Sequence, residues 1–162
     1  MGGKTIVERR IRQRGTASRN QFWRMAHHLP VSVDTSHDPL ARMRVFELAT
    51  ALGPDCFEDA QALIANPITE EIAGQLYAAV GSISANISEG YSRSSGKDRA
   101  RIFEIALGSV RESMSWYGSS EPVLGESVVK DRRDRLEEMR RLLLAIIPCE
   151  RGRAMGGSKN TG

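Results

Sequence analysis

The sequence predicts an all-α fold, an antiparallel up-down four-helix bundle, and three observations predict it. In four stretches of about 20 residues, apolar side chains recur at three- and four-residue spacing, one face of a helix. No strand-like alternation competes with that period. The breaks between the stretches are short, which favours neighbouring helices that run in opposite directions.

The 162 residues suit one domain with tails: a disordered basic arm over 1–36, the bundle over 37–148 and a flexible Gly-rich tail over 149–162. The net charge of +3 is unevenly spread. Residues 1–28 hold seven Lys/Arg and one acid, a net of +6; residues 29–147 hold thirteen against eighteen, a net of −5. The basic character therefore sits in the tails, and the arm is the part suited to phosphates. Two cysteines and no secretory signal suggest a reducing compartment, hence a cytoplasmic protein.

The first helix is expected from Asp38-Pro39, where Asp caps free N–H groups and Pro fits the first turn. Val45, Phe46, Ala49, Leu52, Cys56, Phe57, Ala60, Leu63 and Ile64 share its apolar phase. The phase survives Gly53-Pro54, so one kinked helix is expected. Asn66-Pro67 repeats the start signal, and the second helix runs to about Tyr91 on Ile72, Leu76, Val80, Ile83 and Ile87. Ser95 with Asp98 forms a capping box for the third helix, expected to end near Gly118. Its core stripe is Phe103, Ala106, Val110, Met114 and Tyr117. A loop with Pro122 follows. The fourth helix spans about Ser127 to Ile147, with Arg132, Arg133, Glu137 and Arg140 facing water, and Pro148 stops it.

Residues 72–117 organise the rest. From Ile72 to Ser88 there is no charged residue, which implies burial on more than one side. The run is too short and too polar for a membrane span. Opposite its apolar stripe lie Gln75, Ala78, Ala79, Ser82, Ala85, Asn86 and Glu89, a small uncharged flank suited to a second packing surface. The third helix repeats the device with Ile105, Ser109, Glu112 and Trp116. Buried polar groups need partners, at about 1–3 kcal/mol for each one left unpaired. A polar network of Asn86, Glu89, Ser109 and Glu112 is therefore expected, with Arg93 or Arg111 as counter-charge and with Gly90 and Gly108 allowing close approach.

Two motifs are specific: Ile83-Ser-Ala-Asn-Ile-Ser-Glu-Gly-Tyr91 with Arg93, and Ala106-Leu-Gly-Ser-Val-Arg-Glu112. Together they resemble the four helix bundle family encoded within 23S ribosomal RNA intervening sequences. The likeness covers both middle helices, and weaker helical similarity extends over about 40–147. It carries the motif onto Asn86, Glu89, Gly90, Tyr91, Arg93, Gly108, Ser109 and Glu112. It implies a ring-like homopentamer. The accessory variability protein of diversity-generating retroelements is similar in fold and works with a reverse transcriptase and nucleic acid. Those proteins are strongly basic; residues 29–147 here carry −5.

The residues offer no enzyme site. The di-iron bundle signature needs two Glu-x-x-His motifs, and no histidine follows His37. No Ser/His/Asp or Cys/His constellation, zinc-spaced cysteine pair or phosphate-binding Gly-rich loop occurs. No metal or cofactor is expected. A non-enzymatic oligomeric assembly protein is the leading reading. An RNA- or DNA-binding accessory factor, partner to a reverse transcriptase, is the alternative, and Arg93, Lys97, Arg99 and Arg101 around the turn between the middle helices are its candidate contacts.

Overall fold

The computed structural model of the chain describes residues 38–153. The basic arm and its histidines, and the tail from 154 onward, lie outside the described residues. Among the described residues a 3-10 turn, Pro39–Arg42, precedes four α-helices: α1 (Arg44–Ile64), α2 (Glu70–Tyr91), α3 (Gly96–Leu124) and α4 (Glu126–Gly152). No strand occurs among the described residues. α3 packs along both α2 and α4, α1 packs along α2, and α1 and α4 meet over a shorter seam.

Local chemistry accounts for the turns before α1 and α2 and for the start of α3. Asp38 does cap a turn, accepting the Leu40 N–H at 2.9 Å, but that turn is a 3-10 helix over Pro39–Arg42. Asn66-Pro67 does not open α2. The Asn66 side chain accepts the Ile68 N–H at 3.0 Å and its carbonyl accepts the Thr69 N–H, so the pair closes a turn. The buried Thr69 hydroxyl donates to the Leu63 carbonyl at 2.8 Å and locks that turn to the end of α1. The capping box at α3 is present: Ser95 Oγ accepts the Asp98 N–H and donates to the Asp98 carboxylate at 2.7 Å.

As its unbroken apolar phase predicts, α1 continues through Pro54 as one helix. Pro122 and Pro148 mislead: α3 continues through the first and α4 through the second. All three prolines are exposed, and so are Thr50, Gly118 and Leu144, whose carbonyls lose their partner four residues later. Water can take those acceptors, which removes much of the penalty of an interior proline. α3 ends instead at Gly125, whose φ of 83° suits a residue without a Cβ and whose N–H bonds the Glu121 carbonyl. Residues 149–152, expected in the tail, form the last turn of α4.

The core is continuous through all four helices, with Leu52, Leu76, Ile83, Phe103, Tyr117 and Met139 fully enclosed. Phe57 and Ile64, expected in the core stripe, are exposed instead. They lie at the edge of the apolar phase of α1, on the side toward α2. No described helix is long and apolar enough to cross a membrane.

Candidate functional site

The polar motif residues each find a partner within about one turn of their own position: Glu89 and Glu112 are exposed, Asn86 is half-buried and Ser109 is buried. Asn86 Nδ2 donates to the Ser82 carbonyl at 2.7 Å, and Ser109 Oγ donates to the Ile105 carbonyl at 3.3 Å. Glu89 pairs with Arg93 one turn on, at an exposed position. Glu112 is exposed and accepts the indole N–H of Trp116 at 3.3 Å. Within one chain, then, Asn86, Glu89, Ser109 and Glu112 are not joined into a network. The exposed Arg111 forms no ion pair among the described residues.

The two glycines of the motif differ. A Cβ on Gly90 would stand 2.7 Å from the Phe103 ring, so Gly90 does set the spacing of α2 against α3. Gly108 is exposed with no atom of the bundle near enough to require it. Tyr91 borders a cleft between the helix ends that Met43, Phe103 and Ile146 line with apolar surface.

Of the four basic candidates, two are committed to the bundle. Arg99 donates to Glu150 at 2.7 Å and to the Arg93 carbonyl at 2.8 Å, holding the start of α3 to the end of α4. Arg93 pairs with Glu89. Lys97 and Arg101 are exposed and make no ion pair among the described residues.

A buried polar cluster joins α1, α3 and α4 where sequence reasoning expected solvent. Asp59 Oδ2 accepts the Tyr117 hydroxyl at 3.0 Å and Arg132 Nε at 2.9 Å. Arg132 also donates to Asp131 at 2.6 Å, and Arg135 donates to Asp55 at 2.7 Å. Arg132 therefore does not face water; its side chain is 15% exposed. Burial works against its charge, yet the hydrogen bonds to Asp59 and Asp131 outweigh that and raise its pKa. The signal was readable: Asp59 sits three residues after Cys56 and four before Leu63, in core phase. Arg132 sits likewise between Val129 and Leu136. Opposite charges in core phase on the first and last helices need each other.

Cys56 lies beside this cluster, fully buried, and burial pushes its thiol up to about 11. Burial also raises the Tyr117 phenol, with Cys56 and Asp59 adding to it. An unfolded thiol loses its proton near 9, so between pH 9 and 11 the unfolded chain holds fewer protons than the folded one, and stability falls as pH rises through that window. Thiol titration at pH 8 should accordingly find one fast group, the exposed Cys149, and a second only after denaturation. Two equally fast thiols would contradict the packing around Cys56.

No three His, Cys, Asp or Glu side chains are grouped to hold a metal among the described residues. The cleft at the helix ends has its charged groups, Arg99, Glu150 and Arg153, already paired with one another.

Comparison with known proteins agrees with the fold. One solved structure that matches is a protein of unknown function from the S23 ribosomal protein family of Bacteroides thetaiotaomicron. It is 20% identical with a TM-score of 0.60, and the match covers 64% of this chain and 97% of that one. No curated protein matches. The family model for the 23S rRNA-intervening sequence protein matches residues 41–145, most of the bundle and both motifs. On that match, the chain belongs to the 23S rRNA-intervening sequence protein family.

Proposed function

We propose that the chain is a non-enzymatic assembly protein, an antiparallel up-down bundle that associates with its own copies into a ring-like homopentamer and serves as a scaffold. One observation carries this reading. α2 has no charged residue from Ile72 to Ser88, yet Ala78 and Ala85 on its outer side are exposed within the chain. On the neighbouring helix, Ile105 is exposed too. Covering such a surface removes apolar area from water without stripping a charge of its hydration. Small side chains also let a neighbouring backbone come close. Asn86 and Ser82 keep polar atoms at its border, where a second subunit can complete their hydrogen bonds.

Light scattering tests this. The expected mass is about five times the 17.9 kDa of the chain. Ala85→Arg puts a long charged side chain on the bare flank and should give a monomer with unchanged helical circular dichroism. A wild-type mass of 17.9 kDa would sink the proposal.

Lys97 and Arg101, exposed and without an ion pair among the described residues, favour a second reading: an RNA- or DNA-binding accessory factor of the reverse-transcriptase partner type. A rise in mass when RNA is added, abolished by Lys97→Ala with Arg101→Ala, would select it. Arg99 is unsuitable for that test, because its loss strips Glu150 of its most buried partner.

A further inference from the structure

From Val45 to Ser92 the chain has no lysine or arginine. That cation-free stretch is α1 beyond Arg44, the turn that follows and α2. Four of its carboxylates are neutralised from outside it: Glu47 by Arg44, Asp55 by Arg135, Asp59 by Arg132 and Glu89 by Arg93. Three remain, Glu58, Glu70 and Glu71, all exposed and without an ion pair among the described residues.

The same pair of helices leaves unusual apolar surface bare. Phe57 is 51% exposed, Ile64 58%, Ile68 87% and Tyr77 51%. The Phe57 and Tyr77 rings meet edge to face with centroids 6.1 Å apart, so the strip bridges α1 and α2. Phe57 and Ile64 are seven residues apart, hence on one side of α1; Glu70 and Tyr77 repeat that spacing on α2. Ile68 stands in the turn between them. An exposed apolar strip rimmed by charge is the kind of surface that marks an interaction site.

Charge decides what covers it. Anionic lipid or nucleic acid is repelled by Glu58, Glu70 and Glu71. A second copy docked face to face would bring the same three carboxylates against themselves, with no cation on either face, and the head-to-tail contact of a ring is assigned above to the Ala78 and Ala85 flank. A helical segment with an apolar stripe and flanking Lys or Arg is complementary in both respects. We infer that the α1–α2 pair is a docking surface for a basic amphipathic segment of a partner protein. The apolar strip is separate from the Ala78 and Ala85 flank of the assembly reading, although Glu71, seven residues before Ala78, stands on that flank's side of α2.

Two designed amphipathic peptides of about 14 residues, one of Leu and Lys and one of Leu and Glu, serve as probes. Binding is read by fluorescence anisotropy and mapped by amide hydrogen exchange on the full chain. The Leu/Lys peptide should bind and protect α1 and α2, and the Leu/Glu peptide should not bind. Ile64→Ser with Tyr77→Ser, both at exposed positions, should weaken the Leu/Lys peptide roughly tenfold or more. Glu70→Gln with Glu71→Gln should weaken it several-fold and flatten its salt dependence. Scattering mass should stay unchanged in all variants. Equal binding of both peptides, protection confined to α3 and α4, or affinity indifferent to either double substitution would each overturn the inference. So would a loss of mass in the Ile64/Tyr77 variant, since that would make the occupant a second copy.

Discussion

Replacing Arg132 with Met is expected to cost about 3–5 kcal/mol, the largest single loss in the bundle outside its apolar core. The reason is what it leaves behind. Asp59 is buried, and without Arg132 its carboxylate keeps only the Tyr117 hydroxyl. The long aliphatic stem of Met preserves most of the packing, so the measured loss reports the stranded charge rather than a cavity. Thermal melts at fixed protein concentration should fall by roughly 10–20 °C. Asp59→Leu should cost less, because Arg132 retains Asp131 and Asp55 as partners. The double variant Asp59→Leu with Arg132→Met should be milder than Arg132→Met alone, since no buried charge is then unpaired. A double variant whose loss equals the sum of the two singles would mean the side chains do not interact as their 2.9 Å separation requires.

That cluster also shows how far the sequence could be read and why it stopped. The helical periods of α2 and α3 were plain because Leu76, Val80, Ile83 and Ile87 tolerate no other phase once buried. The capping box at Ser95 was legible because it is a local device, complete within four residues. The helix ends were not. Whether Pro122 breaks a helix depends on whether the carbonyl four residues earlier can reach water, and that is settled by which face of α3 is covered. Arg132 was misplaced for a similar reason. A charge in core phase is read as solvated until its counter-charge, 73 residues away on α1, is known to stand opposite. The motif flank is harder still. Asn86, Ser109 and Glu112 find hydrogen bonds inside their own helices, so the fold of one chain gives them no reason to be together. Gly90 is accounted for by Phe103, whereas Gly108 faces open space. The half of the motif that packing explains concerns the bundle, and the other half points outward, toward whatever meets α2 and α3.

Gly96→Ala is the second large expected effect, and it isolates a contact that no periodicity reveals. A Cβ on Gly96 would fall well inside van der Waals range of the Glu150 backbone carbonyl and 3.1 Å from the Arg153 Cβ. Neither neighbour can rotate away, because one is backbone in the last turn of α4 and the other is fixed to it. The start of α3 and the end of α4 must therefore separate, which also stretches the Arg99–Glu150 ion pair at 2.7 Å. The expected cost is about 3 kcal/mol, at the upper end for overpacking by one methyl group. Gly90→Ala meets a side chain instead, the buried Phe103 ring, and should cost about 1–2 kcal/mol as the ring shifts. Gly118→Ala is the control. It lies exposed within α3 with nothing near its Cβ, so the substitution should stabilise the helix by about 0.5–1 kcal/mol. Urea unfolding of the three variants should rank them in that order, with Gly118→Ala above the parent chain. If Gly96→Ala melts with the parent, the last turn of α4 does not lie against α3, and the ion pair between Arg99 and Glu150 goes with it.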